Sequence, residues 1–215
     1  AGNIWNRIIQ CVCSTRGSKI VGLAHGMGSG IRKNMLREIV DYQFCDVFYT
    51  YTQAQAENIR NDLNPELFRG NRMPEIKAVD QPDDEPDEFH VPGCNPGSIK
   101  TIMYPATLYD GEQMHLIPEF PDRVLIDWQA RLFGHLNQWG YSVLHKPHPE
   151  GSAEPPERFS QTFDLVTLEE PFESVMDLPD AFIFDYPHSL TFYKAMATEK
   201  PVVFIDQPFT TWEPE

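Results

Sequence analysis

Short apolar runs rich in β-branched and aromatic residues recur along this chain and alternate with stretches of helical period. No other feature limits the fold as much. The runs are KIVGLA at 19–24, DVFYTY at 46–51, KTIMYP at 100–105, YSVLHK at 141–146, AFIFD at 181–185 and PVVFI at 201–205, with a shorter candidate at 163–167. Runs of this length with little polar alternation suit strands buried on both faces. Helical spacing lies between them. Met35, Ile39 and Tyr42 share one side of 34–42, and Thr52 is placed to cap a helix reaching about Leu63. The clearest helix is 120–139, with Val124, Trp128, Leu132, Leu136 and Trp139 expected on the inner face and Gly140 ending it. A single turn is expected at 172–176. A further helix is expected at 188–198, with Leu190, Tyr193 and Ala197 turned inward.

Strands joined through helices build parallel β-α-β units. The expected class is therefore α/β: a Rossmann-like, doubly wound parallel sheet in the second half, preceded by part of another Rossmann-like domain. The periodic pattern collapses between them. Pro74, Pro82, Pro86, Pro92 and Pro96 interrupt the chain, and Asp80, Asp83, Asp84, Glu85, Asp87 and Glu88 crowd into one stretch. The division expected is 1–70 as a partial first domain, 71–98 as an acidic, proline-rich linker and 99–215 as a second α/β domain. With 215 residues the chain is short for two full domains, so it is expected to carry the end of one and most of another.

Charge and cysteine usage narrow the function classes. There are 17 basic residues against 32 acidic ones, a net charge of −15, which repels phosphate backbones and disfavours nucleic acid as a partner. A local pocket for a single nucleotide is compatible with that balance. The four cysteines are too sparse for a disulfide scaffold, and Cys11 and Cys13 have the wrong gap for a zinc or redox motif, so they read as reduced thiols, mostly buried. No run reaches the ~18–20 apolar residues of a membrane span, and the N-terminus lacks a signal-peptide layout. The expected setting is cytoplasmic, with peripheral attachment at the inner face of the cell membrane left open.

Ligands of doubly wound sheets bind at strand carboxyl ends. Several motifs fall there. His145-Lys146-Pro147-His148-Pro149-Glu150 follows one strand. Its prolines stiffen the loop, Lys146 offers a charge for phosphate and His148 a donor, while the pair His145 and His148 is a weaker candidate for metal. Asp185-Tyr186-Pro187-His188-Ser189-Leu190-Thr191 leads from strand to helix. Ser189 and Thr191 are expected in the first turn, where they serve either as an ordinary cap or as anion ligands with the free N–H groups. His25 opens a glycine-rich loop (HGMGSG) and is either a general base or a histidine bonded at a strand end. Asp110, in Asp110-Gly111-Glu112, is either a base toward an acceptor hydroxyl or part of a plain turn. There is no G-x-S-x-G elbow and no Asp-x-Asp, so neither a serine hydrolase nor an obligatory metal at donor phosphates is expected.

Taken in order, LAHG, CDVFYTYTQAQAENI, LHKPHPE and FIFDYPHSLTFYKAMATEKPVVFID resemble the GT-B glycosyltransferase superfamily. The likeness is to its surface-polysaccharide enzymes: the CDP-glycerol glycerophosphotransferases and the capsule, sialic acid or Kdo transferases. It covers roughly 19–63 and 99–206. The resemblance implies that 99–215 is a GT-B nucleotide-donor domain. His148 and Pro149, with Lys146 and Glu150 beside them, would contact the donor, and Ser189 and Thr191 would take its phosphate. It implies that His25 faces an acceptor, with Asp110 as a second candidate base. The donor would be CMP-, CDP- or UDP-linked, the acceptor a glycan or polyol phosphate, and no cofactor is implied. One departure stands out: Pro187-His188 separates Asp185-Tyr186 from Ser189, where a serine pair directly after the tyrosine is usual. Two other functions remain in view, a nucleotide-sugar 2-epimerase on the same fold and a non-catalytic nucleotide-binding module.

Overall fold

In the computed structural model, residues 4–24, 41–68, 72–79, 96–107, 109, 121–149, 155–186 and 189–206 are described. The chain divides into a first unit within 1–87 and a second within 88–209.

The first unit holds α1 (Ile4–Thr15), β1 (Val21–Leu23), β2 (Val47–Thr50), α2 (Gln53–Asp62) and β3 (Glu75–Ala78). The strands form a parallel sheet in the order β1-β2-β3. Thr52 caps α2 in a full capping box: its hydroxyl accepts from Gln55 N, and the Gln55 carboxamide oxygen accepts from Thr52 N. Phe48, Ile76, Ala56, Ile59, Tyr42 and Cys45 pack into one core. Gly22 lies against this core so closely that a Cβ there would stand 2.6 Å from Phe48 Cδ2. Two expectations change. KIVGLA is not a buried strand, because β1 lies at a sheet edge with Val21 and Leu23 largely exposed. The segment 71–98 contributes β3, since EIKA pairs with β2 over four residues despite its proline- and acid-rich flanks. Among the cysteines, Cys45 is buried but Cys11, on α1, is exposed; Cys94 lies outside the described residues.

The second unit contains β4 (Thr101–Pro105), α3 (Asp122–Gln138), β5 (Ser142–Lys146), α4 (Pro155–Thr162), β6 (Leu165–Thr167), α5 (Phe172–Val175), β7 (Ala181–Phe184), α6 (Leu190–Met196) and β8 (Val202–Phe204). All strands run parallel in the order β6-β5-β4-β7-β8. Counted from β4, this is 3-2-1-4-5, the order of a Rossmann-like sheet with its switch point between β4 and β7. Helices cover both faces. Leu132, Phe133 and Leu136 of α3 and Phe159 of α4 pack on Ile102, Tyr104, Val143 and Ile183. Phe172 and Val175 of α5 and Ala195 of α6 pack on Met103, Phe182 and Phe184. The sheet is thus α/β and doubly wound, as its sequence pattern indicates.

Differences in this unit are local. The inner stripe of α3 is Leu125, Gln129, Leu132, Phe133 and Leu136, while Val124 and Trp139 face solvent. Gly140 closes α3 with φ +85°, its N–H bonding Asn137 O while Tyr141 N–H bonds Leu136 O. PVVFI supplies an edge strand with Val203 half exposed rather than a buried one. The helix expected at 188–198 is described as α6, with Ser189 as its N-cap, but Leu190 and Ala197 are exposed and Ala195 is the buried residue. Among the described residues no helix is long and apolar enough to cross a membrane.

Candidate functional site at the sheet's carboxyl edge

Because every strand of the second sheet is parallel, the loops after β5 and β7 emerge at one edge, on either side of β4. The first loop carries Lys146, His148 and Pro149. Lys146, the last residue of β5, is buried, and its Nζ donates to Pro147 O at 3.0 Å. Burial lowers its pKa, and the charges of Glu170, Glu169 and Glu173 partly oppose that. One of its ammonium protons is therefore engaged by the loop that follows. His148 is half-buried and Pro149 exposed.

The second loop carries Ser189 and Thr191. Ser189 is the N-cap of α6, its Oγ accepting from Thr191 N at 3.2 Å, and the two hydroxyls are hydrogen-bonded to each other. The capping role weighed from the sequence is met here. Ser189 is a cap, and its hydroxyl pair with Thr191 stands at the strand-to-helix turn. His25, Asp110 and Glu150 lie outside the described residues.

Sequence reasoning missed the most constrained group at this edge. Asp185 follows β7 directly and is 6% exposed. Tyr104 Oη donates to its Oδ2 at 2.6 Å, and Trp128 Nε1 donates to the same atom at 2.8 Å. Gln129 Nε2 donates to Tyr104 Oη at 3.1 Å, and Tyr109 Oη donates to Gln129 Oε1. A hydrogen-bonded chain thus ties the end of β4, the residue after β7 and the inner stripe of α3 at the switch point. Burial raises the Asp185 pKa, and the two donors, with the residue's own backbone N–H, oppose that rise. Burial also pushes the Tyr104 and Tyr109 phenols up.

The polar row continues across the sheet. Tyr104 pairs in register with His145, and His145 with Thr167. His145 is fully buried among Tyr104, Phe133 and Phe159. Burial lowers its pKa to about 4, with the Lys146 charge adding to the effect, so the ring is neutral at pH 7. Four buried side-chain atoms have no hydrogen-bond partner among the described residues: Asp185 Oδ1, both nitrogens of His145 and Thr167 Oγ1. Three of them lie on this row, and the fourth, on Asp185, is tied to it through Tyr104. Buried polar atoms are normally satisfied, so their concentration here makes this region a candidate site. A sequence signal existed for it: Gln129 interrupts an apolar stripe, and Asp185 ends an otherwise apolar run.

The other motif residues have structural roles. Lys200, of the K-P-V-V-F segment, donates from Nζ to Met176 O, Asp177 O and Pro179 O, tying the end of α5 to the entry of β8. In the first unit an open depression of about 600 Å³ is lined by Leu23, Tyr49, Arg60, Lys77 and Val79. Its cations are spoken for: Arg60 donates twice to Ile76 O, and Lys77 pairs with Glu75. Among the described residues no group of three or more His, Cys, Asp or Glu side chains is placed to hold a metal ion. Compared with known proteins, the sequence matches no protein-family model and no curated protein.

Proposed function

We propose that this chain binds a nucleotide-activated donor at the carboxyl edge of its second sheet and serves transfer of a sugar or polyol phosphate to a surface-polysaccharide acceptor, as the resemblance to GT-B enzymes implies. One observation carries the reading. The His148 loop and the Ser189–Thr191 turn, the two motifs of that resemblance, follow β5 and β7, which flank β4 at the edge where doubly wound sheets take ligands. In this reading His148 and the two hydroxyls hold the donor phosphate. Lys146 fixes the loop from beneath through Pro147 O. Transfer then needs little covalent chemistry from the protein: donors at the leaving phosphate offset its growing charge, and a base such as His25 or Asp110 takes the acceptor proton.

Titration calorimetry of the chain with CMP, CDP and UDP tests the proposal. Binding of one of them, weakened at least tenfold in His148→Ala, supports it, and label transfer from the matching donor to a glycan or polyol-phosphate acceptor completes it. The reading fails if none of the nucleotides binds. Nucleotide binding without transfer to any acceptor leaves a non-catalytic nucleotide-binding module instead.

A further inference from the structure

The Asp185 carboxylate is satisfied on one side only. Oδ2 takes two hydrogen bonds, from Tyr104 and Trp128, while Oδ1 is buried and has no partner among the described residues. Leaving a buried charged atom unpaired is costly, so something else meets it when the site works. The residue follows β7 beside the switch point, within four positions of Ser189. A phosphate is a poor occupant, because a carboxylate repels it. A hydroxyl suits: it donates a hydrogen bond and carries no charge.

We infer that Asp185 Oδ1 accepts a hydrogen bond from a hydroxyl of the bound donor, so that this carboxylate reads the neutral polyol part of the ligand while the Ser189 turn meets its phosphate. The inference rests on the nucleotide-donor reading above. The hydroxyl comes either from the nucleotide's ribose or from the transferred sugar or polyol. A site built to bond a hydroxyl discriminates strongly against an analogue lacking it, because the buried acceptor is then left unpaired.

The substitution Asp185→Asn isolates the atom in question. Its amide oxygen replaces Oδ2 and keeps the bonds from Tyr104 and Trp128, while its NH₂ replaces Oδ1 and turns an acceptor into a donor. Calorimetry compares wild type and Asp185→Asn against CMP, its 2′-deoxy and 3′-deoxy forms, CDP and CDP-glycerol, with a melting curve showing that the variant is folded. If the ribose is read, one deoxy form binds wild type roughly tenfold or more weakly than CMP, and the gap closes to within about twofold in the variant. If the transferred group is read, the deoxy forms bind like CMP, and CDP-glycerol loses in the variant whatever advantage it has over CDP. If wild type and variant bind every ligand alike, an internal water meets Oδ1 and the inference fails while the donor reading stands. If wild type binds neither these nor UDP, both fail together.

Discussion

Tyr104 and Asp185, 81 positions apart in sequence, meet through a 2.6 Å hydrogen bond that ties the end of β4 to the residue after β7. The bond is fully buried and lies beside the switch point. Its donor comes from the central strand, and its acceptor opens the loop that carries Ser189. Tyr104→Phe keeps the ring and removes only the hydroxyl, leaving Asp185 with one donor and Gln129 Nε2 without its acceptor. Hydrogen bonds to charged groups contribute roughly 1.5–3 kcal/mol, so the variant is expected to lose about 2 kcal/mol. Denaturant unfolding followed by tryptophan fluorescence measures this; a loss below about 0.5 kcal/mol would show that the network does not brace the edge.

His145 makes stability fall in acid. Unfolded, its imidazole takes a proton near pH 6.5; folded, near 4. Protons therefore favour the unfolded chain as pH drops through that interval. Stability contributed by the neutral ring is complete above the upper value and is lost toward the lower one, by about 3 kcal/mol. His145→Phe removes the titration and fills the same aromatic pocket. Its stability at pH 7 is expected to equal or exceed that of wild type, with a shallower decline between pH 6.5 and 4. Denaturation midpoints across that range decide it, and an unchanged acid slope would assign the sensitivity to other groups.

Two glycines respond to alanine with opposite signs. At Gly22 the new methyl would meet Phe48 Cδ2 at 2.6 Å and Cys45 Sγ at 2.8 Å, both in the first unit's core, and the overpacking is expected to cost about 1–3 kcal/mol. At Gly134, inside α3, it would meet only Phe163 at 3.6 Å, and the stiffer unfolded chain stabilises the fold by about 0.5–1 kcal/mol. Paired melting curves check both. Loss of stability in Gly134→Ala would contradict the packing described around α3.

Ser189 separates capping from ligand binding. Ser189→Ala removes the side-chain bond to Thr191 N and is expected to cost about 1 kcal/mol and to weaken nucleotide binding. Ser189→Asp restores a cap but sets a negative charge where the phosphate is proposed to lie. It should therefore melt like wild type and bind nucleotide at least tenfold more weakly. Equal affinity in wild type and Ser189→Asp would remove Ser189 from the phosphate subsite.

The alternation of apolar runs and helical stretches carried the fold class because buried parallel strands need continuous apolar sequence, and β4 and β7 come close to it. What escaped was short or ambiguous in phase. The EIKA strand is four residues long and sits among prolines and acids. Helix α4, not expected from the sequence pattern, begins with two prolines, which fit a first helical turn as well as they fit a loop. In α3 a spacing of three and four accommodates two neighbouring stripes, and Gln129 belongs to the one that is buried. That choice hid the site: Gln129 faces inward, where it bonds Tyr104 and Tyr109, and the sequence does not say which distant residues receive it.

The strand order has a consequence for synthesis. Lys100 and Thr101, at the entry of β4, bond the carboxylate of Asp180 at the entry of β7, some 80 residues later. At ~5–20 residues per second, the ribosome exposes the central strand for roughly 4 to 16 seconds before its second neighbour exists. During that interval the backbone groups on the edge of β4 that later pairs with β7 have no strand to bond, which leaves that edge open to another chain.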